Sequence, residues 1–491
     1  MRRWFLSLSG GALASKVLGL AREILLARWF GTGPVADAYR GSLTATLSPV
    51  HLLTNRLVQT CFIPLYAAHR RDAPDRARAL FVLLLVFFVA LGLLLGVLLL
   101  QLAGPLVGLL LPGFDPGRRE LAAAMLRVMA LGVPAYLYVS LLGSLGAAQE
   151  DFAIPSLRPG LQNLGMLALI AAAALTGRPV LAAWGFSGSY LALALGATLL
   201  VWRRNEWPPR AALDGALLRA TAGELWRLFR PLLVVSALAE LQILTERFLA
   251  SLVGAGSVAA MEYARFVTET SHTLLVVPLG LIGLGHFATL EPPALRAKTD
   301  RTLARIWLAL LPLSAFLVLN GEGILRLLYL RGRFDLDSLA VTGRALAGLG
   351  AGLWAFSASW FLQRVFNARL QNVTVLRGES LFALASLAAM ALLYRPLGVL
   401  GLALGPAAGG LAGLAYYLPR LPGPLPASRR SFLLVLAALP GYCVLSWLLG
   451  RAAGSGLWAL ALQALLALLW WGGWTLGRRE LRGLVRGDGA E

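Results

Sequence analysis

Long apolar stretches separated by short polar turns run along the whole chain. Each stretch holds about 20 residues, enough to cross a bilayer as an α-helix, and the turns between them are rich in glycine, proline and charge. The pattern predicts about fourteen membrane-spanning helices. Their approximate limits are 8–30, 38–66, 79–104, 121–148, 155–176, 180–202, 226–253, 258–290, 302–330, 338–368, 373–394, 397–419, 431–450 and 456–476.

The composition agrees with this pattern. Hydrophobic residues make up 58% of the 491 residues and charged residues 14%, whereas a soluble domain carries about 25% charged residues. An outer-membrane barrel would show alternating segments of about ten residues instead of continuous apolar runs such as 80–102. We therefore predict an all-α polytopic membrane protein.

The net charge is +20, from 44 Lys and Arg against 24 Asp and Glu. Such a surplus raises the question of nucleic-acid binding, but the cations cluster in loops between apolar spans, as the positive-inside rule explains. We therefore expect no nucleic-acid partner. With the N-terminus placed in the cytoplasm, the basic clusters fall on the cytoplasmic side, which predicts a multi-pass protein of the cytoplasmic membrane with both ends inside.

A sequence pattern repeats across the middle of the chain. The spacing of Glu, Leu-Ala, Gly-x-Gly and Val-Ala in residues 23–36 recurs in residues 246–259. Parallel repeats of six spans, related by an axis along the membrane normal, are typical of transporters; chance similarity between Leu-, Ala- and Gly-rich helices is the alternative. The predicted domains are an N-lobe of spans 1–6, a cytoplasmic linker, a C-lobe of spans 7–12, and spans 13–14 with a basic cytoplasmic tail, at 1–202, 203–225, 226–420 and 421–491.

Missing motifs exclude several functions. The chain has no Gly-rich phosphate loop, and its lysines, Lys16 and Lys298, do not follow one. Its four histidines show no metal-ligand spacing, and Cys61 and Cys443 lie in apolar surroundings that indicate free buried thiols. We predict neither an enzyme nor a metal or cofactor site.

Charged residues within the first span are the strongest indication of function. A charge at mid-bilayer costs about 2.5–3.5 kcal/mol on insertion scales, yet this span contains Lys16, Arg22 and Glu23. Lys16 and Glu23 lie close to one helix face, with Arg22 beside them. The face is expected to line a wet cavity inside a helix bundle; an ion pair satisfied against a neighbouring helix is the alternative.

Further charges lie deep in spans 2, 7, 8 and 10. The basic ones include Arg40, Arg56, Arg247, Arg265 and Arg364, and the acidic ones include Glu240, Glu246, Glu262 and Glu269. Arginine suits phosphate because its planar fork donates two parallel hydrogen bonds. Together these residues predict a cavity for a phosphate or diphosphate head group, although each single arginine serves a structural ion pair about as readily.

Residues 15–39 resemble the opening of the MurJ/MviN lipid II flippase family, within the multidrug/oligosaccharidyl-lipid/polysaccharide exporter superfamily. The resemblance rests on Ser15-Lys16, Gly19, Arg22-Glu23, Phe30-Gly31, Gly33 and the Asp37-Ala38-Tyr39 run. It extends over roughly residues 8–420. The further matches lie at 62–64, 152–163, 256–265, 277–280, 331–334 and 364–369.

The resemblance implies a two-lobed fold that moves an undecaprenyl-diphosphate-linked peptidoglycan precursor to the outer leaflet by alternating access. It implies that Lys16, Arg22, Glu23 and Arg265 stand at cavity positions that bind the diphosphate, with Lys16 in place of the family's arginine. Spans 13 and 14 would form a groove for the lipid tail. Membrane lipids and cell-wall synthesis proteins are the other expected partners.

The sequence departs from the family in two places. The family's Arg-Arg pair falls on Val50-His51 and its acidic-Gly pair on Asn55-Arg56, so Arg40 and Arg56 are expected to supply the missing charge. Span 8 also has a longer segment between Arg265 and Pro278. The predicted substrate-binding residues are Lys16, Arg22, Glu23, Arg40, His51, Arg56, Arg265 and Arg364.

The energy source stays open at this stage. If a proton or Na⁺ drives transport, Glu23, Glu240 or Glu246 would bind it. Cl⁻ is a further candidate for the coupling ion. Alternatively, the membrane potential alone could act on a basic cavity.

Three other functions remain alongside lipid II flipping. The first is a flippase for another polyprenyl-linked glycan of the O-antigen or polysaccharide type. The second is a drug/cation antiporter, which needs an acidic cavity with few cations and which dye-efflux assays would reveal. The third is an inactive membrane scaffold, which would fail to complement a flippase-deficient strain.

Overall fold

The computed structural model describes residues 2–203, 214–279, 287, 290–454, 456–478, 481, 482 and 484, without the side chains of 2–14, 55, 56, 59, 60, 231 and 232. Every regular element in these ranges is helical, so the predicted all-α class is confirmed. The chain divides into two compact units, Met1–Val258 and Ala259–Glu491. The predicted domain limits stay a prediction, and residues 204–213 of the predicted linker lie outside the described residues.

The first unit contains the helices before residue 257. A π-helical turn, Leu57–Phe62, joins α2 to α3. The α-helices are α1 (Arg2–Phe30), α2 (Pro34–Arg56), α3 (Ile63–Asp72), α4 (Pro74–Gln101), α5 (Ala103–Leu110), α6 (Pro116–Ala130), α7 (Val133–Ala148), α8 (Ala153–Thr176), α9 (Leu181–Arg203) and α10 (Gly215–Val253).

The second unit contains the remaining helices. A short 3₁₀ turn, Leu418–Arg420, follows α16. The α-helices are α11 (Ser257–Leu275), α12 (Pro292–Tyr329), α13 (Leu336–Ala368), α14 (Asn372–Leu397), α15 (Val399–Ala403), α16 (Gly405–Tyr417), α17 (Pro426–Ala453) and α18 (Leu457–Gly477).

Local sequence explains where many of these helices begin. Proline opens α2 and α4, where its missing N–H is not needed by the helix. Asp115 and Asp335 cap α6 and α13, and each carboxylate accepts a hydrogen bond from the amide of the third residue that follows, at 2.9 and 2.8 Å. These backbone hydrogen bonds hold the pKa of both carboxyls below the ordinary value.

The described ranges contain nine helical segments long and apolar enough to cross a membrane, or up to eleven if each of two bent pairs is one span; one of the nine, Val399–Arg420, comprises α15, α16 and the 3₁₀ turn. The bends are 46° between α6 and α7 and 51° within α10, next to Pro231. Helices α1, α2 and α11 are not among the nine, and they carry the charged residues Arg22, Arg40 and Arg265. The predicted total of about fourteen spans stays a prediction.

Small residues allow close helix packing in the second unit. A Cβ on Gly352 of α13 would lie 2.4 Å from the Ala407 Cβ of α16, and one on Gly410 would lie 2.4 Å from the Phe356 backbone nitrogen. Such contacts are typical of membrane bundles, in which helices associate through packing and not through the hydrophobic effect.

The repeated sequence produces a break between two helices in both places. Helix α1 ends at Phe30 and α2 begins at Pro34, and α10 ends at Val253 where α11 begins at Ser257. Each break holds a Gly-x-Gly segment, but the corresponding glycines differ in backbone conformation: Gly31 has φ 58° and Gly254 φ 146°, and Gly33 has φ -74° and Gly256 φ 81°.

Candidate functional site

Glu23 on α1 holds two arginines of the first unit. Arg22 Nη2 donates to Glu23 Oε1 at 2.8 Å, and Arg40 Nη2, from α2, donates to Glu23 Oε2. Only 2% of Glu23 and 5% of Arg40 are exposed. The carboxylate is therefore shared, and the cluster (Arg22, Glu23 and Arg40) carries one net positive charge in a buried position.

Helix α8 completes this cluster. Arg22 Nη1 donates to Asn163 Oδ1 at 3.0 Å, and the Asn163 side-chain amide donates to both the backbone carbonyl and the hydroxyl of Ser15 at 3.2 Å. Asn163 thus fixes the guanidinium of Arg22 and ties α8 to α1. The sequence match includes Asn163 but assigns it no role.

Lys16 lies apart from this cluster. Its side chain is exposed, and no hydrogen bond or ion pair involving it is seen within the described part of the chain. The structure thus joins Arg22, Glu23 and Arg40 and does not bring Lys16 to them; its predicted role in binding stays a prediction.

His51 lies between a carboxylate and a tyrosine of the first unit. Its Nε2 is 3.1 Å from Tyr136 Oη on α7, and its Nδ1 is 3.8 Å from Glu240 Oε1 on α10. Glu240 is 8% exposed. His51 therefore connects three helices through polar contacts at a position where the family has an arginine pair. The sequence does not single out Tyr136, because tyrosines are common in apolar helices.

Glu246 and Arg247 form a neighbouring buried pair on α10. Arg247 Nη1 donates to Glu246 Oε1 at 3.2 Å, and Arg247 Nε donates to Thr44 Oγ1 on α2 at 3.1 Å. Both charged residues are buried. This pair attaches the last predicted span of the first unit to α2.

The two Gly-x-Gly breaks meet at one end of the first unit. Asp37 Oδ2 accepts a hydrogen bond from the Gly256 amide at 2.7 Å and lies 3.4 Å from Arg118 Nη1. A Cβ on Gly256 would lie 2.8 Å from the Thr32 carbonyl oxygen. The buried Asp37 carboxylate therefore holds the breaks together, and it too belongs to the matched sequence without an assigned role.

In the second unit, the predicted arginines have local partners. Arg265 Nε donates to Glu262 Oε1 one turn earlier on α11, at 3.2 Å. The Arg364 guanidinium lies 4.7 Å from the centroid of the Trp360 ring. A separate polar contact joins His272 Nδ1 to Ser357 Oγ at 2.8 Å. The predicted grouping of Arg265 and Arg364 with the residues of the first unit stays a prediction, and the Arg56 side chain lies outside the described residues.

These arrangements suit the recognition of charged groups. The clustered side chains are guanidiniums, carboxylates, amides and hydroxyls, which bind anions and polar groups. Within the described residues, no group of three or more His, Cys, Asp or Glu side chains could hold a metal ion.

The fold matches solved membrane proteins. One is a lipid II flippase MurJ in an inward closed conformation, with a TM-score of 0.82 and 17% identity over 99% of both chains. Another is an inward-facing multidrug resistance MATE family transporter of the MOP superfamily, with a TM-score of 0.68 and 16% identity over 85% of this chain and 96% of that one. The molecule is therefore a multi-pass helical membrane protein with the fold that these proteins share.

The sequence comparisons narrow this class to a family. The family model for the lipid II flippase MurJ matches residues 26–461. This chain therefore belongs to the lipid II flippase MurJ family. It is 26% identical over 422 residues to a probable lipid II flippase MurJ of Rhizobium tropici, covering 83% of this chain and 78% of that protein. A probable lipid II flippase MurJ of Bdellovibrio bacteriovorus is 27% identical over 448 residues, covering 87% and 83%.

Proposed function

We propose that this protein flips lipid II, a polyprenyl-diphosphate-linked peptidoglycan precursor, from the inner to the outer leaflet of the cytoplasmic membrane for cell-wall synthesis. The family match over residues 26–461 carries the proposal. The cluster of Arg22, Glu23 and Arg40 supports it, because guanidiniums are suited to binding the oxygens of a diphosphate.

The mechanism we propose is alternating access. A diphosphate approaching the cluster would compete with Glu23 for the guanidinium of Arg22, whose side chain is 17% exposed. A ligand shifts a conformational equilibrium only through different affinities for the two states. The Asp37–Gly256 hydrogen bond is suited to closing one end of the pathway in one of those states.

Complementation tests the proposed function. The gene is expressed in a strain whose own lipid II flippase can be depleted, as wild type, Arg22→Ala and Arg265→Ala, with Arg178→Ala in an exposed loop as the control. We expect wild type and the control to sustain growth and lipid II flipping, and both site variants to lose most of it. Failure of wild type, at normal expression and membrane insertion, would refute the proposal.

A drug/cation antiporter shares the fold but needs different charges. An inward-facing MATE family transporter has a similar structure, yet the clusters around Arg22, Arg40 and Arg247 contain at least as many guanidiniums as carboxylates. Such surroundings disfavour a cationic drug. Dye efflux that depends on this protein, without lipid II flipping, would establish the antiporter instead.

Among the three acids predicted for ion coupling, we favour Glu240. Glu23 accepts from two arginines and Glu246 from Arg247, whereas Glu240 Oε2 is buried without a hydrogen-bond partner in the described residues. A buried carboxylate oxygen of this kind could take up a proton or Na⁺. If it does, Glu240→Gln will abolish the dependence of flipping on that ion gradient, and unchanged dependence would exclude Glu240.

A further inference from the structure

Arg158, on the second turn of α8, lies over two tyrosine rings of the first unit. Its guanidinium carbon is 4.9 Å from the centroid of the Tyr136 ring on α7 and 5.5 Å from that of Tyr190 on α9. Its Nη2 also donates to Tyr190 Oη at 3.4 Å. The side chain is partly buried, so three helices hold the guanidinium in one place while part of it stays accessible.

The charge of Arg158 is not neutralised in the way that the charges of Arg22 and Arg40 are. Those two share Glu23, whereas no carboxylate lies within ion-pairing distance of Arg158 among the described residues. Cation–π contacts hold the guanidinium, but they leave its net charge in place. An anion is the partner that this position lacks.

Polar groups lie beside the guanidinium of Arg158. Tyr190 Oη donates to Gln162 Oε1 at 2.7 Å, so the Gln162 side-chain NH₂ is turned away from that bond, and it makes a weak contact with Met166 Sδ at 3.8 Å. Tyr136 Oη bonds His51 on the other side. Hydroxyl and amide groups beside a fixed cation are the donors and acceptors that sugar hydroxyls and phosphate oxygens use.

Arg158 lies on α8, which also contributes to the cluster around Glu23. Asn163, which binds Arg22, follows Arg158 on the same helix, and five residues of α-helix correspond to a rise of about 7.5 Å. Gln162 lies between them in sequence. At about 100° per residue the two side chains leave α8 roughly 140° apart, so the position of Arg158 is separate from the cluster around Glu23.

We propose that Arg158, with Tyr136, Tyr190 and Gln162, forms an anion-binding subsite for the sugar-diphosphate part of a polyprenyl-linked glycan. The guanidinium binds phosphate oxygens and the Gln162 amide binds the adjoining sugar, while the two tyrosine rings hold the guanidinium in place. The subsite rests on the proposed flippase function and supplies, from α8, positive charge next to His51.

Binding to the purified full-length protein in nanodiscs of neutral lipid tests the subsite. The probes are undecaprenyl diphosphate and lipid II, with undecaprenyl monophosphate as the less charged comparison. We expect Arg158→Ala to weaken binding of both diphosphate probes about tenfold or more, and of the monophosphate less. Arg158→Lys should be intermediate, because it keeps the charge and loses the fork. Gln162→Ala should weaken binding of lipid II more than binding of undecaprenyl diphosphate, because only lipid II carries the sugar.

Arg395→Ala is the matched control, since Arg395 makes the same kind of contact with the Tyr394 ring, at 5.7 Å, in the second unit. Its affinities should equal those of wild type. If Arg158→Ala lowers only the thermal stability of the empty protein and the folded fraction binds as wild type does, the arginine is a helix-packing residue and the proposal is wrong. If phosphatidylglycerol in the nanodisc abolishes the Arg158 effect, the ligand is a bulk lipid phosphate, which also overturns the glycan assignment.

These outcomes separate the subsite from the proposed function. If wild type neither binds lipid II nor complements a depleted strain, both the proposed flippase function and the subsite are wrong. If wild type binds lipid II and complements the strain, and Arg158→Ala binds with equal affinity, only the subsite proposal is wrong.

Discussion

At the scale of single residues, burial decides how much a charge matters. Glu23 and Arg40 are almost fully buried, and Glu23 accepts from two guanidiniums. Breaking a buried ion pair costs far more than breaking an exposed one, because the remaining charge cannot be solvated by water. The exposed pair of Arg326 and Glu322, at 2.8 Å on α12, provides the comparison within this chain.

Glu23→Gln is therefore expected to lower the free energy of unfolding by about 3–5 kcal/mol, because the carboxylate shared by Arg22 and Arg40 is lost. Glu322→Gln should change it by about 1 kcal/mol or less, since 62% of that side chain is exposed. Denaturant unfolding of both variants in the same detergent measures the difference. Equal losses would show that the Glu23 cluster is solvated in the folded protein.

At the scale of helices, the capping of a helix end and the packing of a helix face contribute separately to the stability of the protein. Asp335 caps α13 through the Ser338 amide, and the same helix packs Gly352 against Ala407 of α16. A Cβ added to Gly343, also on α13, would meet no heavy atom of the described residues within 4 Å beyond its own helical turn. Substitutions in α13 can therefore test capping and packing separately, with Gly343 as the control for the packing contact.

Asp335→Ala should destabilise the protein by about 0.5–2 kcal/mol at neutral pH, and Asp335→Asn by less because asparagine also caps helices. The hydrogen bond from the Ser338 amide lowers the pKa of Asp335 in the folded state. Its stabilisation is therefore present above the unfolded pKa of about 3.9 and is lost as the pH falls through the lower folded value. Unfolding measured down the pH scale should show wild type and Asp335→Ala converging; a constant gap would contradict the capping role.

Gly352→Ala should destabilise the second unit by about 1–3 kcal/mol, because its new methyl group would overlap the Ala407 side chain. Gly343→Ala should be neutral or stabilising by up to about 1 kcal/mol, since alanine is the better helix former. The thermal unfolding temperatures of the two variants, compared with wild type, test this difference in stability. A stabilised Gly352→Ala protein would mean that α13 and α16 are not in close contact.

At the scale of the whole molecule, the apolar surface determines where the protein resides. Large aliphatic side chains on the outside of α4, α8 and α9 are exposed, among them Leu93, Leu161 and Leu195. Such a surface needs lipid around it. The orientation in that lipid is our proposal: both ends in the cytoplasm, in the cytoplasmic membrane, where cell-wall synthesis proteins would be its neighbours.

Cysteine labelling tests the orientation. In a background of Cys61→Ser and Cys443→Ser, Arg178→Cys lies in the predicted outer loop between α8 and α9, and Arg429→Cys lies near the predicted inner start of α17; both positions are exposed. A membrane-impermeant maleimide added to intact cells, with the outer membrane permeabilised where there is one, should label the first variant alone. Both should react after lysis, and the reverse pattern would invert the topology.

Parts of the site were predictable because they depend on local sequence. Arg22, Glu23 and Arg40 stand out as charges inside apolar spans, and the structure brings them together. Asn163 and Arg158 do not stand out in the sequence in this way. A lone amide or an arginine near the start of a span has no distinctive pattern, and its role depends on which helices pack beside α8.

The sequence by itself determined the helical class, the apolar spans and the repeated Gly-x-Gly breaks, because each depends on residues close together in the chain. Only the tertiary structure decided that Glu23 serves two arginines, that Lys16 lies apart from them, and that Asp37 bonds the amide of Gly256. Those facts arise from contacts between helices distant in sequence, whose packing no local pattern specifies.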